Sequence, residues 1–98
     1  ALALDSSYID PLVNKAFLNY NMDSLELAYE NCTKIHRIEP ENPEAFYIKG
    51  LVKQVNAEFD AAKSNYRKFI DLANNKSHLK KYVGRARKNI KKIVNSGN

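Results

Sequence analysis

Displaced against itself by 34 residues, the chain pairs Leu12 with Phe46, Ala16 with Gly50, Leu25 with Phe59, Ala28 with Ala62, Cys32 with Tyr66, Ile35 with Phe69 and Ile38 with Leu72. Small residues meet small ones and apolar residues meet apolar ones, with charged or polar residues mostly between them. A repeat of this length is one supersecondary unit that buries its apolar face only against its neighbours, so it restricts the chain to a stacked architecture. Within each unit the apolar positions fall three and four apart, the spacing of a helical stripe. The expected fold is all-α: an α-solenoid of antiparallel helix pairs, about five helices, forming a single domain in a chain of 98 residues.

The turn residues set the expected boundaries. A first helix starts at Asp10 with Pro11 in its first helical position, where the missing N–H costs nothing, and ends near Tyr20. The stretch "NYNMD" supplies a turn, and "DSLE" reads as a capping box, with Asp23 as N-cap and Glu26 reaching back. The second helix runs to about Ile38. Pro40 cannot continue a helix and Pro43 suits the first turn of the next one, so the two prolines stop one unit and start another. Unit two repeats the pattern with helices from Pro43 to Val55 and from about Glu58 to Ala73, joined at Asn56 and Ala57. After "NNKS", Ser77 is the expected N-cap of a fifth helix whose apolar stripe is Leu79, Tyr82, Val83, Ala86, Ile90, Ile93 and Val94.

These residues resemble the tetratricopeptide repeat, a 34-residue helix-turn-helix unit with small residues at its eighth and twentieth positions and proline near its thirty-second. Unit two carries Phe46 at position four, Gly50 at eight, Phe59 at seventeen, Ala62 at twenty and Tyr66 at twenty-four. Unit one matches through Leu12, Ala16, Leu25, Ala28, Ile35 and Pro40, and departs from the pattern at Cys32, where a large aromatic is commoner. The resemblance implies a superhelix in which residues 9–42 and 43–76 are repeats. Residues 1–8 would then end a preceding helix, and residues 77–95 would form a basic amphipathic capping helix or, since Val83 and Gly84 fall at positions seven and eight, the first half of a third unit.

The resemblance also implies a concave surface lined by the first helix of each unit. Its positions would be Asp10, Val13, Asn14, Phe17 and Tyr20 in unit one, Glu44, Tyr47, Ile48, Leu51 and Gln54 in unit two, and His78, Lys81, Tyr82, Arg85 and Lys88 in the last helix. Such a groove is apolar and aromatic in its middle and basic at one end, which suits a peptide or helix of another protein with apolar anchors and an acidic group. For Phe17, Ile48 and Leu51 the alternative is inter-helix packing. The two-carboxylate clamp of some members does not carry over, because Glu44 and Ile48 stand where cations would be required, although Lys81 and Arg85 lie one turn apart and could hold a carboxylate.

Charge is unevenly distributed. Residues 1–75 hold eight Lys/Arg against eleven Asp/Glu, a balance of −3, whereas residues 76–98 hold eight Lys/Arg and no acid, a balance of +8. Solvation of an exposed terminal face is the favoured role of that basic segment, with nucleic acid or another polyanion as the competing partner. Self-association into a homodimer is a further alternative, since a short stack has open ends. No apolar run approaches the roughly 20 residues of a membrane helix, so membrane insertion is not expected. The single cysteine, Cys32, rules out an internal disulfide framework and is expected to be a buried small hydrophobe. The compartment stays open with the cytoplasm favoured. His36 and His78 lack ligands at metal-binding spacing, and no glycine-rich phosphate loop occurs, so neither metal nor cofactor is expected. Together these readings give a non-catalytic interaction module or scaffold rather than an enzyme.

Overall fold

The computed structural model describes residues 9–96; the segment expected to end a preceding helix, residues 1–8, lies outside them. The described residues form five α-helices and no strand: α1 (Ile9–Asn21), α2 (Leu25–Ile38), α3 (Pro43–Val55), α4 (Phe59–Ala73) and α5 (Lys80–Asn95), with a 3-10 turn over Ser77–Leu79. Each helix packs on the next, and α1 also packs on α3, which places the helices in a repeating stack.

The 34-residue period is written into the backbone hydrogen bonds. At the first turn the Asp23 N–H donates to the Tyr20 carbonyl (3.0 Å) and the Ser24 N–H to the Asn19 carbonyl (2.8 Å). At the second, the Ala57 N–H donates to Gln54 (3.0 Å) and the Glu58 N–H to Lys53 (2.9 Å), the same pattern 34 residues on. Both are Schellman endings, in which one residue turns left-handed so that the last carbonyls of the helix find donors. Those residues are Asp23 at φ 65° and Ala57 at φ 61°. Asp23 therefore closes α1 and does not cap α2. Ser24 is the N-cap of α2, and its side chain makes no capping bond. The connection between units recurs as well, with Asn42 N–H donating to Glu39 (3.0 Å) and Lys76 N–H to Ala73 (2.9 Å).

Pro43 is the first residue of α3, and the buried Asn42 caps it by accepting from the Ala45 N–H at 3.0 Å. The corresponding residue before the last helix is Lys76, which has no acceptor to offer. There the chain enters through the 3-10 turn, and Ser77 is not an N-cap. In the expected stripe of α5, Leu79, Ala86 and Ile93 are buried and Tyr82, Val83 and Ile90 half-buried, but Val94 is 51% exposed. It sits on the outer side of the helix.

The core follows the small-residue positions. Ala16, Ala28, Gly50 and Ala62 are buried, and around them close Ile35, Ile48, Tyr66, Phe69 and Leu79, while Leu12, Leu25, Phe46 and Phe59 pack half-buried at its edge. A Cβ on Gly50 would lie 2.6 Å from the Tyr66 ring, closer than any side chain tolerates; a Cβ on Gly84, one period later, would meet nothing within 4 Å. Between the units, the ring of His36 lies 4.1 Å from that of Phe46. Its Nε2 donates to the Asn42 carbonyl at 3.2 Å, and its Nδ1 accepts from Lys49 Nζ at 2.9 Å. An imidazole that accepts through one nitrogen is neutral, and burial holds its pKa below the ordinary range.

Two expectations follow. The two glycines should respond oppositely to alanine: Gly50→Ala overpacks the helix crossing and costs about 1–3 kcal/mol, whereas Gly84→Ala removes only backbone freedom and stabilises by about 1 kcal/mol. Urea unfolding of both variants reads this directly, and equal effects would contradict the close crossing at Gly50. Glu44, only 1% exposed in the first turn of α3, has one carboxylate oxygen without a hydrogen-bond partner. Burial raises its pKa against smaller opposing pulls from its own backbone N–H, His78 and Lys76. A carboxyl raised in the folded state binds its proton more tightly there, so its stabilising contribution is complete below the ordinary carboxyl range and is lost as pH rises through the folded value. Glu44→Gln should therefore melt higher than the native chain at neutral pH and level with it in mild acid. A difference independent of pH would rule out an ionising Glu44.

Candidate interaction cleft

The first helices α1, α3 and α5 lie side by side, and their facing residues enclose a cleft of about 280 Å³ lined by Phe17, Tyr20, Asn21, Tyr47, Leu51, Tyr82 and Arg85. The walls owe their shape to aromatic contacts that cross from helix to helix. Phe17 of α1 sits 6.2 Å from both Tyr47 and Tyr82, and Tyr47 meets Tyr82 edge-on at 5.4 Å. Behind them Tyr47 packs on Phe69 at 5.0 Å and on Tyr66 at 6.2 Å, which fixes the floor of the cleft to the core. Rings offset in this way attract through their quadrupoles beyond the area they bury.

Phe17 and Tyr82 approach each other across the cleft, and several expected groove residues have other places. Val13 and Ile48 are 0% exposed and belong to the core cluster packed between the helices, so neither can meet a partner. Tyr47 is also buried but keeps one edge on the cleft. Gln54 is engaged internally, its Oε1 accepting from the Tyr66 hydroxyl at 2.6 Å, while Asn89 Nδ2 donates to that hydroxyl at 3.3 Å. Asn14, Lys81 and Lys88 are exposed outside the cleft lining. Phe17, Tyr20, Leu51, Tyr82 and Arg85 do come together, joined by Asn21, which the repeat positions alone did not indicate because it lies in the last turn of α1.

Arg85 supplies the cleft's positive charge. Its guanidinium lies over the Tyr82 ring at 5.4 Å, yet the residue remains exposed. A guanidinium stacked on a ring is held in place while still able to present N–H groups to a carboxylate. Burial raises the pKa of Tyr47, and Arg85 pulls it the other way; Tyr20 is raised by burial and by the nearby Asp23. Both phenols are therefore neutral donors at physiological pH.

The chain's cysteine chemistry lies elsewhere. Cys32 is buried in the core, and burial pushes its thiol up to about 12, far from a nucleophile's range. Among the described residues no group of three or more His, Cys, Asp or Glu is placed to hold a metal ion, and no helix is long and apolar enough to cross a membrane.

Replacing Arg85 with Gln removes the charge that favours the Tyr47 phenolate, so Tyr47 should ionise at higher pH in the variant. Alkaline titration of the Tyr47 Cζ resonance measures it; an unchanged titration would mean that the guanidinium does not act on this hydroxyl. Comparison of the chain with protein-family models, with curated proteins and with solved structures found no match.

Proposed function

We propose that this chain is a non-catalytic protein-interaction module, a helical-repeat scaffold of the tetratricopeptide kind, and that it holds a segment of another protein at the cleft between α1, α3 and α5. The observation that carries this reading is Arg85: an exposed guanidinium, stacked on Tyr82, at the rim of a cleft whose walls are apolar and aromatic. A site of this kind favours a segment with one bulky apolar residue beside a carboxylate, the apolar group entering between Phe17 and Leu51 and the carboxylate meeting Arg85. The cleft volume, about 280 Å³, accommodates one such anchor rather than the length of an extended peptide. The remaining affinity would come from the rim, where polar contacts set register more than they add energy. The inert Cys32 thiol and the packing role of the tyrosines support a binding function over catalysis.

A peptide library displayed on phage and selected against the chain tests this. The selected sequences should carry an aliphatic or aromatic residue close to an acid. Arg85→Glu and Leu51→Ala should each weaken the best of them about tenfold or more, which is about 1.4 kcal/mol. The helical circular dichroism should be unchanged. Binders that ignore both substitutions, or whose affinity collapses with moderate salt, would point to the basic surface instead of the cleft.

A further inference from the structure

On the opposite side of α5 from the cleft, a recess of about 540 Å³ opens between the end of α4 and the outer face of the helix, lined among others by Ala73, Lys76, Lys80, Val83, Gly84 and Arg87. Its character is set by comparison with the same place one period earlier. There Gly50 is covered by α4, and the ring of Tyr66 presses into the space that a side chain at position 50 would fill. At Gly84 nothing beyond the adjoining residues and the helix's own backbone comes within 4 Å of that space. α5 also runs on to Asn95, through the residues that correspond to the turn at Asn56 and Ala57, so among the described residues no second helix folds back over this face.

At about 100° per residue, Lys80, Val83, Gly84, Arg87, Lys91 and Val94 fall on one side of α5. The side is therefore a helix-sized strip with Lys80, Arg87 and Lys91 along its middle, Val83 and the 51% exposed Val94 along one edge and Gly84 on the other. No carboxylate lines the recess.

We propose that this face of α5 is a second docking surface, separate from the cleft, and that its occupant is an acidic amphipathic helix of a partner protein which seats a bulky aromatic or aliphatic residue on Gly84. The steric argument identifies a helix, because the chain's own solution to an identical glycine is a helix with a large ring at that point. The charge argument identifies its acidity: Lys76, Lys80 and Arg87 surround the recess, and like charges placed against them would be repelled. The same argument disfavours a second copy docking through its own α5, since a symmetric contact would bring Lys80, Arg87 and Lys91 of one chain against the same cations of the other. Nucleic acid would satisfy the cations but has no use for the open space at Gly84 beside them.

The probe is a fluorescent synthetic peptide with the sequence of residues 58–73, the segment that covers Gly50, carrying Lys63→Glu, Arg67→Glu and Lys68→Glu to make it acidic. Saturable binding to the full chain is expected, weakened about tenfold or more by Gly84→Leu in the chain and by Tyr66→Ala in the peptide, reduced by Lys80→Glu with Arg87→Glu, and unaffected by Arg85→Glu. Gly84→Leu should leave the fold intact because the space is open, and circular dichroism of that variant shows whether it does. The idea is overturned if the peptide does not bind, or if Gly84→Leu in a folded chain leaves binding unchanged. It is equally overturned if a scrambled peptide of the same charge or a single-stranded oligonucleotide competes with equal strength through the same lysines. A concentration-dependent dimer in light scattering that Gly84→Leu abolishes would assign the face to a second copy and overturn the proposed occupant. Because Arg85→Glu separates the two sites, failure here leaves the cleft standing, and failure of the cleft leaves this face standing.

Discussion

The contact between Gly50 and the Tyr66 ring fixes more of this molecule than any other. It lets α3 and α4 cross at a distance that even a methyl group would prevent. The ring that fills the crossing is fully buried, which raises the pKa of its phenol, and its hydroxyl must therefore be satisfied by neighbours. Gln54 from α3 and Asn89 from α5 both reach it, so one side chain joins three helices. Tyr47 then packs against the same ring, and through Tyr47 the positions of Phe17 and Tyr82 follow. The cleft is the outer edge of a network whose centre is a glycine.

That network explains both what could be read from the sequence and what could not. The all-α class and the run of helix pairs were legible because they depend on pattern: a 34-residue self-match, three-and-four spacing, and prolines where one helix must stop and another start. The expected range of α3, Pro43–Val55, is the observed one for the same reason, as proline leaves the start of a helix little choice. The turn between the paired helices was misread at Asp23. "DSLE" has the letters of a capping box, but the corresponding residue one period later is Ala57, which has no side-chain acceptor. What the two positions share is the left-handed backbone that ends the preceding helix, and two non-glycine residues gave no signal for it.

The groove residues were legible in part, and the reason is geometric. Repeat positions tell which residues lie on the first helices but not how tightly those helices curl. Here the inner positions Val13 and Ile48 are core, Gln54 is engaged by the Tyr66 hydroxyl, and Asn21 at the helix end joins the lining. Curvature is a sum of small packing angles between successive pairs, set by the volumes of side chains far apart in sequence. No local motif encodes it.

The distribution of charge has a structural counterpart in the same periodicity. In unit two, Lys49 and Lys53 project from α3 onto the Tyr29 ring at 5.3 and 4.8 Å; Lys49 also reaches His36, and Lys53 also pairs with Glu58 at 3.2 Å. These cations are taken up by aromatic and acidic groups of the adjoining helices, so they add little to the outward field of the molecule. One period later the place of Lys49 is taken by Val83 and that of Lys53 by Arg87, beside a recess with no carboxylate in its lining. On α5 Arg85 is still taken up by the Tyr82 ring, whereas the cations beside the recess face no carboxylate in its lining. A cation that solvates an uncovered helix face is also a cation that repels like surfaces and admits acidic ones, so solubility and partner choice are set on that face by the same residues.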